Sequence, residues 1–526
     1  MSEFPWITAL TLTPLLGSIL VAGLGSQKKQ PARVLGFLFS LIALAVTFCI
    51  WKNFERGSAE LQFVERHDWI PSLRIEYFVG LDGLGLAMLL LSALVVPFAM
   101  LVSTEVVENT KIYYSLLLLL EAGLFGAFTA LNFFHWFFFW ELTLVPAFFL
   151  IRLWGGPERT RAATQFFVYT MVGSIALLLS FLAIFLATQG TPIADKFDFM
   201  QLADLGQTGQ LASALSVRLG WYELFPTEQS LALFIFLGAL LGFAVKVPLF
   251  PFHTWLPLAY AEAPTGVTMI LTGAMSKMGV YGFLRILMPI FPEQMRQVLT
   301  PLLWLAVATV VLAAFAALAQ SDLKRMLAYS SINHLGYCLL GIFAALQSTG
   351  TEPRWAFEKT SVLNGVVLQM FNHGLTASAL FCFVGYLERR TGGLRGLEHF
   401  GGLRKVAPVF CGLMGIALFA SLGLPGLNGF VGEFLIFKGT FPLVPWAAAL
   451  STLGLLVTAV FILTILQRVF SGPLNERWAS FADLTWTERV TVLPAIALMF
   501  VVGIYPQLLI GVTNSLALQL TERLKF

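Results

Sequence analysis

The chain has 526 residues, 58% of them hydrophobic and only 12% charged, with a formal net charge of +3 and a mean hydropathy of +0.81. That composition excludes a soluble globular enzyme and a nucleic-acid-binding chain, because apolar runs of about 20 residues, the length that crosses a bilayer, recur from one end to the other. The four cysteines (Cys49, Cys338, Cys382, Cys411) stand singly, and no metal-ligand spacing, Walker-A string or strand-associated GxGxxG is present. A disulfide framework, a zinc site, an iron–sulfur cluster and a nucleotide site therefore have no support in this chain.

In chain order the elements read as fourteen membrane spans, an all-α polytopic fold. They lie near 5–25, 31–51, 78–102, 113–131, 133–153, 163–188, 230–250, 262–288, 299–319, 325–347, 360–387, 406–437, 444–470 and 487–513. The first run lacks a basic leader and a small-residue cleavage site, so it reads as a retained span. Residues 113–153 are almost uncharged and predict a tight helical hairpin turning near Asn132. Residues 189–228 are polar, contain Pro192, show weak helical patterning in 208–219 and predict a surface segment. Lysine and arginine concentrate in alternate loops, among them Lys28, Lys29, Arg159, Arg161, Arg389 and Arg390. By the positive-inside bias this places both termini outside.

Two spans are interrupted. The seventh, LALFIFLGALLGFAVKVPLFPFHTWLP (231–257), carries Pro248 and Pro251; the twelfth, SLGLPGLNGFVGEFLIF (421–437), carries Pro425 among glycines. A broken helix is tolerated at membrane depth only where its backbone lines a cavity or is buried in protein. Interrupted spans in corresponding places of two halves point to an inverted-repeat transporter. The expected organisation is residues 1–110 (spans 1–3), a first five-helix repeat at 111–290 (spans 4–8), a second at 291–442 with 443–472 (spans 9–13), and 473–526 with the last span.

Ionisable residues lie inside these spans: Glu121, Glu141, Lys246, Lys277, His334, His373 and Glu433. Each has a bland reading. A lone histidine is often a satisfied donor between helices, a glutamate near a span end reaches the headgroups, and Lys438 is placed to snorkel. Together they are too costly at membrane depth to be packing decoration. Burial disfavours the charged form of both lysine and glutamate, and a nearby opposite charge restores it. Histidine exchanges protons near neutrality. A file of Glu141, Lys246, Lys277, His334 and Glu433 is thus suited to relay protons, with Glu141 expected to pair with Lys246. Glu121, His253, His373 and Lys438 serve either as relay groups or as structure. Moving one charge across a membrane costs about 2.3 kcal/mol per 100 mV, and nothing in this chain supplies that, so the drive comes from a partner or an ion gradient.

The strings FFFWELTLVPAFFLIRLWGG, AVKVPLFPFHTWLP, SDLKRMLAYSSINHLGY, FNHGLTASALF and GLPGLNGFVGEF resemble the antiporter-like subunits of respiratory complex I. They resemble most the chain 4 group of the bacterial, cyanobacterial and chloroplast type I NAD(P)H–quinone dehydrogenases. The resemblance covers the whole chain. It implies fourteen spans, two inverted five-helix repeats and a proton channel. It also implies roles: Glu141 as the span 5 glutamate, Lys246 as its partner lysine, Lys277 as the central lysine, His334 as a relay histidine, and Glu433 as the terminal acid that sets chain 4 apart from its siblings. It implies no cofactor in this chain; the quinone site, iron–sulfur clusters and electron donor belong to partner subunits, and sibling antiporter-like subunits are further partners.

The chain departs from the family's usual HTWLPDAH, reading HTWLPLAYAEAP with Leu258 and Tyr260 in place of an acid and a histidine. The inner mouth is then expected to hold Glu262 as its only acid. WGGPERTRAATQFFVYTMVGS leans toward the cyanobacterial and chloroplast group, for which a thylakoid membrane, plastoquinone and a carbon dioxide uptake variant are the corresponding expectations. Two other readings share the motifs: a subunit of a multi-chain sodium/proton antiporter, and a non-pumping membrane scaffold.

Overall fold

The computed structural model describes residues 4–73, 75–188, 197–219, 223–349 and 352–524; Pro192 lies outside them. Among the described residues the secondary structure is helical apart from one antiparallel hairpin. Helices α1 (Trp6–Ala22) and α2 (Lys29–Asn53) precede strands β1 (Gln62–Ile70) and β2 (Ile75–Leu81). There follow α3 (Gly83–Val102), α4 (Thr110–Thr129), α5 (Phe133–Trp154) and α6 (Arg159–Ala187), then the short α7 (Phe199–Gln207) and α8 (Gln210–Leu219). The interrupted seventh span is α9 (Glu228–Lys246) and α10 (Leu256–Glu262). The eighth is α11 (Thr265–Ile290). After the short α12 (Pro292–Gln297) come α13 (Leu299–Leu318), α14 (Leu323–Ala345) and α15 (Pro353–Thr391). The interrupted twelfth span is α16 (Pro408–Ser421) and α17 (Asn428–Leu443). The chain closes with α18 (Pro445–Phe470), α19 (Trp486–Ile504) and α20 (Gln507–Arg523).

Local chemistry sets these boundaries. The hairpin turns at Asn132, as expected, because its side chain accepts from Phe134 N at 2.9 Å and caps α5. Thr227 and Ser230 form a reciprocal capping box at the start of α9. Asp322 accepts from Arg325 N at 2.9 Å and starts α14. Such caps satisfy amides that have no partner within the helix. The weakly patterned 208–219 segment is α8, beside α7.

Among the described residues eleven helices are long and apolar enough to cross a membrane. The expected count of fourteen is not reached on that criterion. Helix α1 has 17 residues and α16 has 14, both apolar but short. Helix α14 has the length, but Ser330, Ser331, Asn333 and His334 dilute its apolar character. The last span also differs from expectation. It stops at Ile504, because Pro506 disfavours helical geometry at Tyr505, and the chain resumes as α20. Helix α20 packs along the first half of α15, where Asn364 Nδ2 donates to Asn514 Oδ1 at 2.8 Å.

Helices α11 and α15 are wholly buried over their most apolar stretches and α3 nearly so, while α2 leaves most of its surface exposed. The centre of the molecule is therefore where the polar residues of α11 and α15 meet. Helix α15 has 39 residues, about 58 Å at 1.5 Å per residue, well beyond the roughly 30 Å of a bilayer's hydrocarbon core. A buried ion pair ties the fold at one end of α11: Arg285 Nη2 lies 2.5 Å from Asp82 Oδ2, and the other Asp82 oxygen caps α3 by accepting from Gly85 N at 3.0 Å.

Candidate functional site

The interruption after Lys246 is fully tied. Pro248 and Pro251 have no N–H to satisfy. Leu249 N donates to Ala244 O at 2.9 Å, and Phe250 N donates to Thr309 Oγ1 at 2.9 Å. Trp255 Nε1 donates to the otherwise free Val245 carbonyl at 3.0 Å. The break thus holds Lys246, the last residue of α9, in the interior at 3% exposure. Its ammonium lies over the Trp140 ring, 4.7 Å from the centroid, a cation–π contact that partly replaces water. Gly279 of α11 lies against this break: a Cβ there would meet Val247 Cγ2 at 2.4 Å and the Lys246 carbonyl carbon at 3.2 Å.

Lys277 sits in α11 between two π-helical turns, Leu271–Met275 and Phe283–Leu287. Such turns insert one extra residue and re-aim carbonyls off the helix axis. Here Thr272 O, in the first of them, accepts from Lys277 Nζ at 2.5 Å. The same ammonium reaches Ser276 Oγ at 3.2 Å and His373 Nδ1, on α15, at 2.9 Å. The His373 ring lies 5.1 Å, centroid to centroid, from that of His334 on α14. His334 Nδ1 is 3.1 Å from Glu433 Oε1, on α17, and its Nε2 is 3.2 Å from Ser421 Oγ at the end of α16.

Four helices thus deliver one continuous file: Lys277, His373, His334, Glu433. Gln369, one turn before His373 on α15, braces its far end, its Nε2 lying 3.3 Å from both His334 Nδ1 and Glu433 Oε1. His334 Nδ1 therefore has two partners of opposite demand. Protonated, it donates to the carboxylate; bare, it accepts from the amide. Glu433 owes its reach to the twelfth-span break. Gly423 holds φ +78°, which glycine adopts without penalty, and a Cβ there would stand 2.7 Å from Glu433 Oε2.

Of the residues singled out from sequence, Lys277, His334 and Glu433 come together. His373, held there as either relay or structure, lies between the first two. Glu141 and Lys246 do not close into an ion pair within 4 Å. Glu141 stays within electrostatic range of the ammonium, but its Oε1 is buried without a hydrogen-bond partner. Its side chain lines an apolar groove of about 690 Å³ with Phe134, Phe137, Phe138 and Val145. Glu121 lies apart, fully buried, with both carboxyl oxygens lacking a hydrogen-bond partner. His253 lies beside Phe250, ring centroids 5.5 Å apart, away from the file. Lys438 does not simply reach for the surface; it pairs with Glu358 at 2.5 Å.

Sequence reasoning missed Gln369 and Ser421, which are neutral and raise no anomaly in an apolar run; only the four-residue spacing of Gln369 and His373 hints at a shared face. It also misjudged the inner mouth. Glu262 is not the only acid there. A cavity of about 530 Å³ beside it is lined as well by Glu105, Glu388, Lys324, Arg389 and Arg395. Arg395 Nε is 2.7 Å from Asp322, and Lys324 is 2.7 Å from Glu388. These charges come from segments far apart in sequence, which only the fold assembles. Among the described residues no group of three or more His, Cys, Asp or Glu is placed to hold a metal.

A polytopic helical membrane protein with a buried ionisable file between interrupted spans is the class that fold and site define. A family model described as NADH:quinone oxidoreductase/Mrp antiporter, TM matches residues 130–461, and the chain belongs to that family. It is 36% identical to the F(420)H(2) dehydrogenase subunit M of Methanosarcina mazei over 519 residues, covering 98% of each chain. It is 34% identical to NAD(P)H-quinone oxidoreductase chain 4 1 of Synechococcus elongatus, covering 99% of this chain and 93% of that one. A chain of respiratory complex I from Thermus thermophilus superimposes with a TM-score of 0.82 at 29% identity, over 98% of this chain and 99% of that one.

Proposed function

We propose that this chain is a proton-translocating membrane-arm subunit of a quinone-reducing dehydrogenase complex. It works as part of an enzyme whose redox chemistry, iron–sulfur clusters and quinone site reside in partner subunits. The observation that carries this reading is the file from Lys277 through His373 and His334 to Glu433, with contacts of 2.9, 5.1 and 3.1 Å, held where no bulk water screens it. A proton released by Lys277 is taken by His373 at Nδ1, His373 gives a proton to the adjoining His334, and His334 gives its Nδ1 proton to Glu433, so that each histidine gains one N–H bond and loses one. Lys246, with Glu141 near but not in contact, is a second proton-holding group whose charge sets the readiness of Lys277 to release. The two interrupted spans are the hinges of two repeats, residues 111–290 and 291–472, one contributing Lys246 and Lys277, the other His334 and Glu433.

The relatives bear names with different electron donors, F(420)H(2) in one and NAD(P)H in the other, and the proposed role is the same for either. Subunit membership in a sodium/proton antiporter is the second reading, favoured by the family description alone. Proton translocation by the purified complex in sealed vesicles, driven by quinone reduction, tests the proposal with Lys246→Ala. The expected outcome is an unchanged set of co-purifying subunits and loss of this subunit's share of pumping. Unchanged pumping refutes it, and purification without quinone-reactive partners would point to the antiporter.

A further inference from the structure

Lys277 needs a proton donor as well as an acceptor, and the file described so far leads only away from it. On its other side lies a buried cluster of hydroxyls. Tyr260, on α10, is 1% exposed; its hydroxyl donates to Leu271 O at 3.1 Å, the same carbonyl that accepts from Ser276 N at 3.0 Å. Ser276 Oγ is the group 3.2 Å from Lys277 Nζ. Thr272 Oγ1 is 3.1 Å from Ser331 Oγ on α14. The π turn at 271–275 explains why these groups converge, since the Leu271 and Thr272 carbonyls both accept side-chain donors there. The next residues after Tyr260 are Ala261, Glu262 and Ala263, which line the charged inner cavity. Arg395 fixes that rim by donating to Ala261 O at 2.6 Å. Tyr260 is thus the chain neighbour of the residues that line an ionised vestibule, and its buried hydroxyl reaches the π turn of α11 beside the central lysine.

We propose that the Tyr260 and Ser276 hydroxyls form the proton entry to Lys277 from the vestibule. This rests on the reading of the chain as a proton translocator. The step balances as a hop. A proton arriving at Tyr260 Oη displaces the phenolic proton onto Ser276 Oγ, and Ser276 gives its own proton to the free Lys277 Nζ. Each oxygen gains one O–H bond and loses one. Both hydroxyls are then neutral again, and rotation of the two O–H groups resets the path. A phenol and an alcohol suit this task because each is donor and acceptor at once, and neither places a standing charge beside the buried ammonium.

The test uses the whole complex in sealed vesicles, with proton translocation read per electron transferred and Lys277→Ala as the control read first. Tyr260→Phe keeps the ring and removes the hydroxyl; Ser276→Ala removes the bridge; Ser276→Thr keeps it. The expected result is a wild-type subunit set in all, loss of this subunit's share of pumping in Tyr260→Phe and Ser276→Ala, as in Lys277→Ala, and near-wild-type pumping in Ser276→Thr. Wild-type pumping in Tyr260→Phe or in Ser276→Ala, or equal loss in Ser276→Ala and Ser276→Thr, overturns the entry path. If Lys277→Ala itself pumps normally, the translocator reading fails instead, and the two failures are told apart.

Discussion

His373 shows how a single buried group changes meaning once its neighbours are known. In sequence it is one histidine in an apolar run, equally suited to packing. In the structure its Nδ1 is the atom that Lys277 meets, and its ring is the bridge to His334. Replacing it with leucine removes that bridge while filling the buried position on α15 with a side chain of similar bulk. His373→Leu is expected to leave quinone reduction and assembly in place and to lower protons translocated per electron by this subunit's share; equal loss of both activities would make it structural. Lys277, His334 and Glu433 were legible from sequence because an ionisable residue in a span is expensive. Gln369, Ser421 and Ser276 were not, because neutral polar side chains carry no such signal. The pairing of Glu141 with Lys246 was only half legible: chemistry names the partners, but packing decides whether they touch, and here Trp140 takes the ammonium.

At the scale of elements, the breaks in the seventh and twelfth spans could be read from Pro248, Pro251, Pro425 and their glycines, residues whose backbone limits are intrinsic. The π turns flanking Lys277 could not, since no residue type forces them; they follow from how α11 packs between its neighbours. The over-long last span has the same kind of cause in reverse, because apolar residues continue past Pro506 and hydropathy alone does not register the break. Two packing joints carry testable weight. Gly279 admits the break at Lys246 against α11, so Gly279→Val is expected to cost about 1–3 kcal/mol by overpacking and to lower the thermal midpoint of the purified complex. The Asp82–Arg285 pair is 3% and 7% exposed on its two side chains. Asp82→Ala strands a buried guanidinium and is expected to cost about 3–5 kcal/mol, visible as loss of folded protein from the membrane, whereas a surface pair such as Arg161–Glu158 should tolerate the same change with under about 1 kcal/mol.

Across the whole molecule, composition and apolar runs were enough to specify a polytopic helical fold, and the motif strings around Glu141, Lys246, His334, His373 and Glu433 pointed to its family. The number of spans was less legible, because three of the expected helices are too short or too polar to register as crossing segments on their own. Least legible was the inner mouth. Its charges come from the turn after α3 (Glu105), the end of α10 (Glu262), the start of α14 (Lys324), and the end of α15 with the loop beyond it (Glu388, Arg389, Arg395), so no window of sequence contains it. The resulting picture is directional. A file of two histidines and a glutamate leads from Lys277, and in the proposed path the protonation of the lysine separates entry from exit. The most direct measurement is proton translocation per electron in sealed vesicles bearing the assembled complex with Lys277→Met, a side chain of similar length that cannot hold a proton. The account predicts that quinone reduction continues while translocation by this subunit's share is lost. Wild-type translocation with Lys277→Met would contradict it.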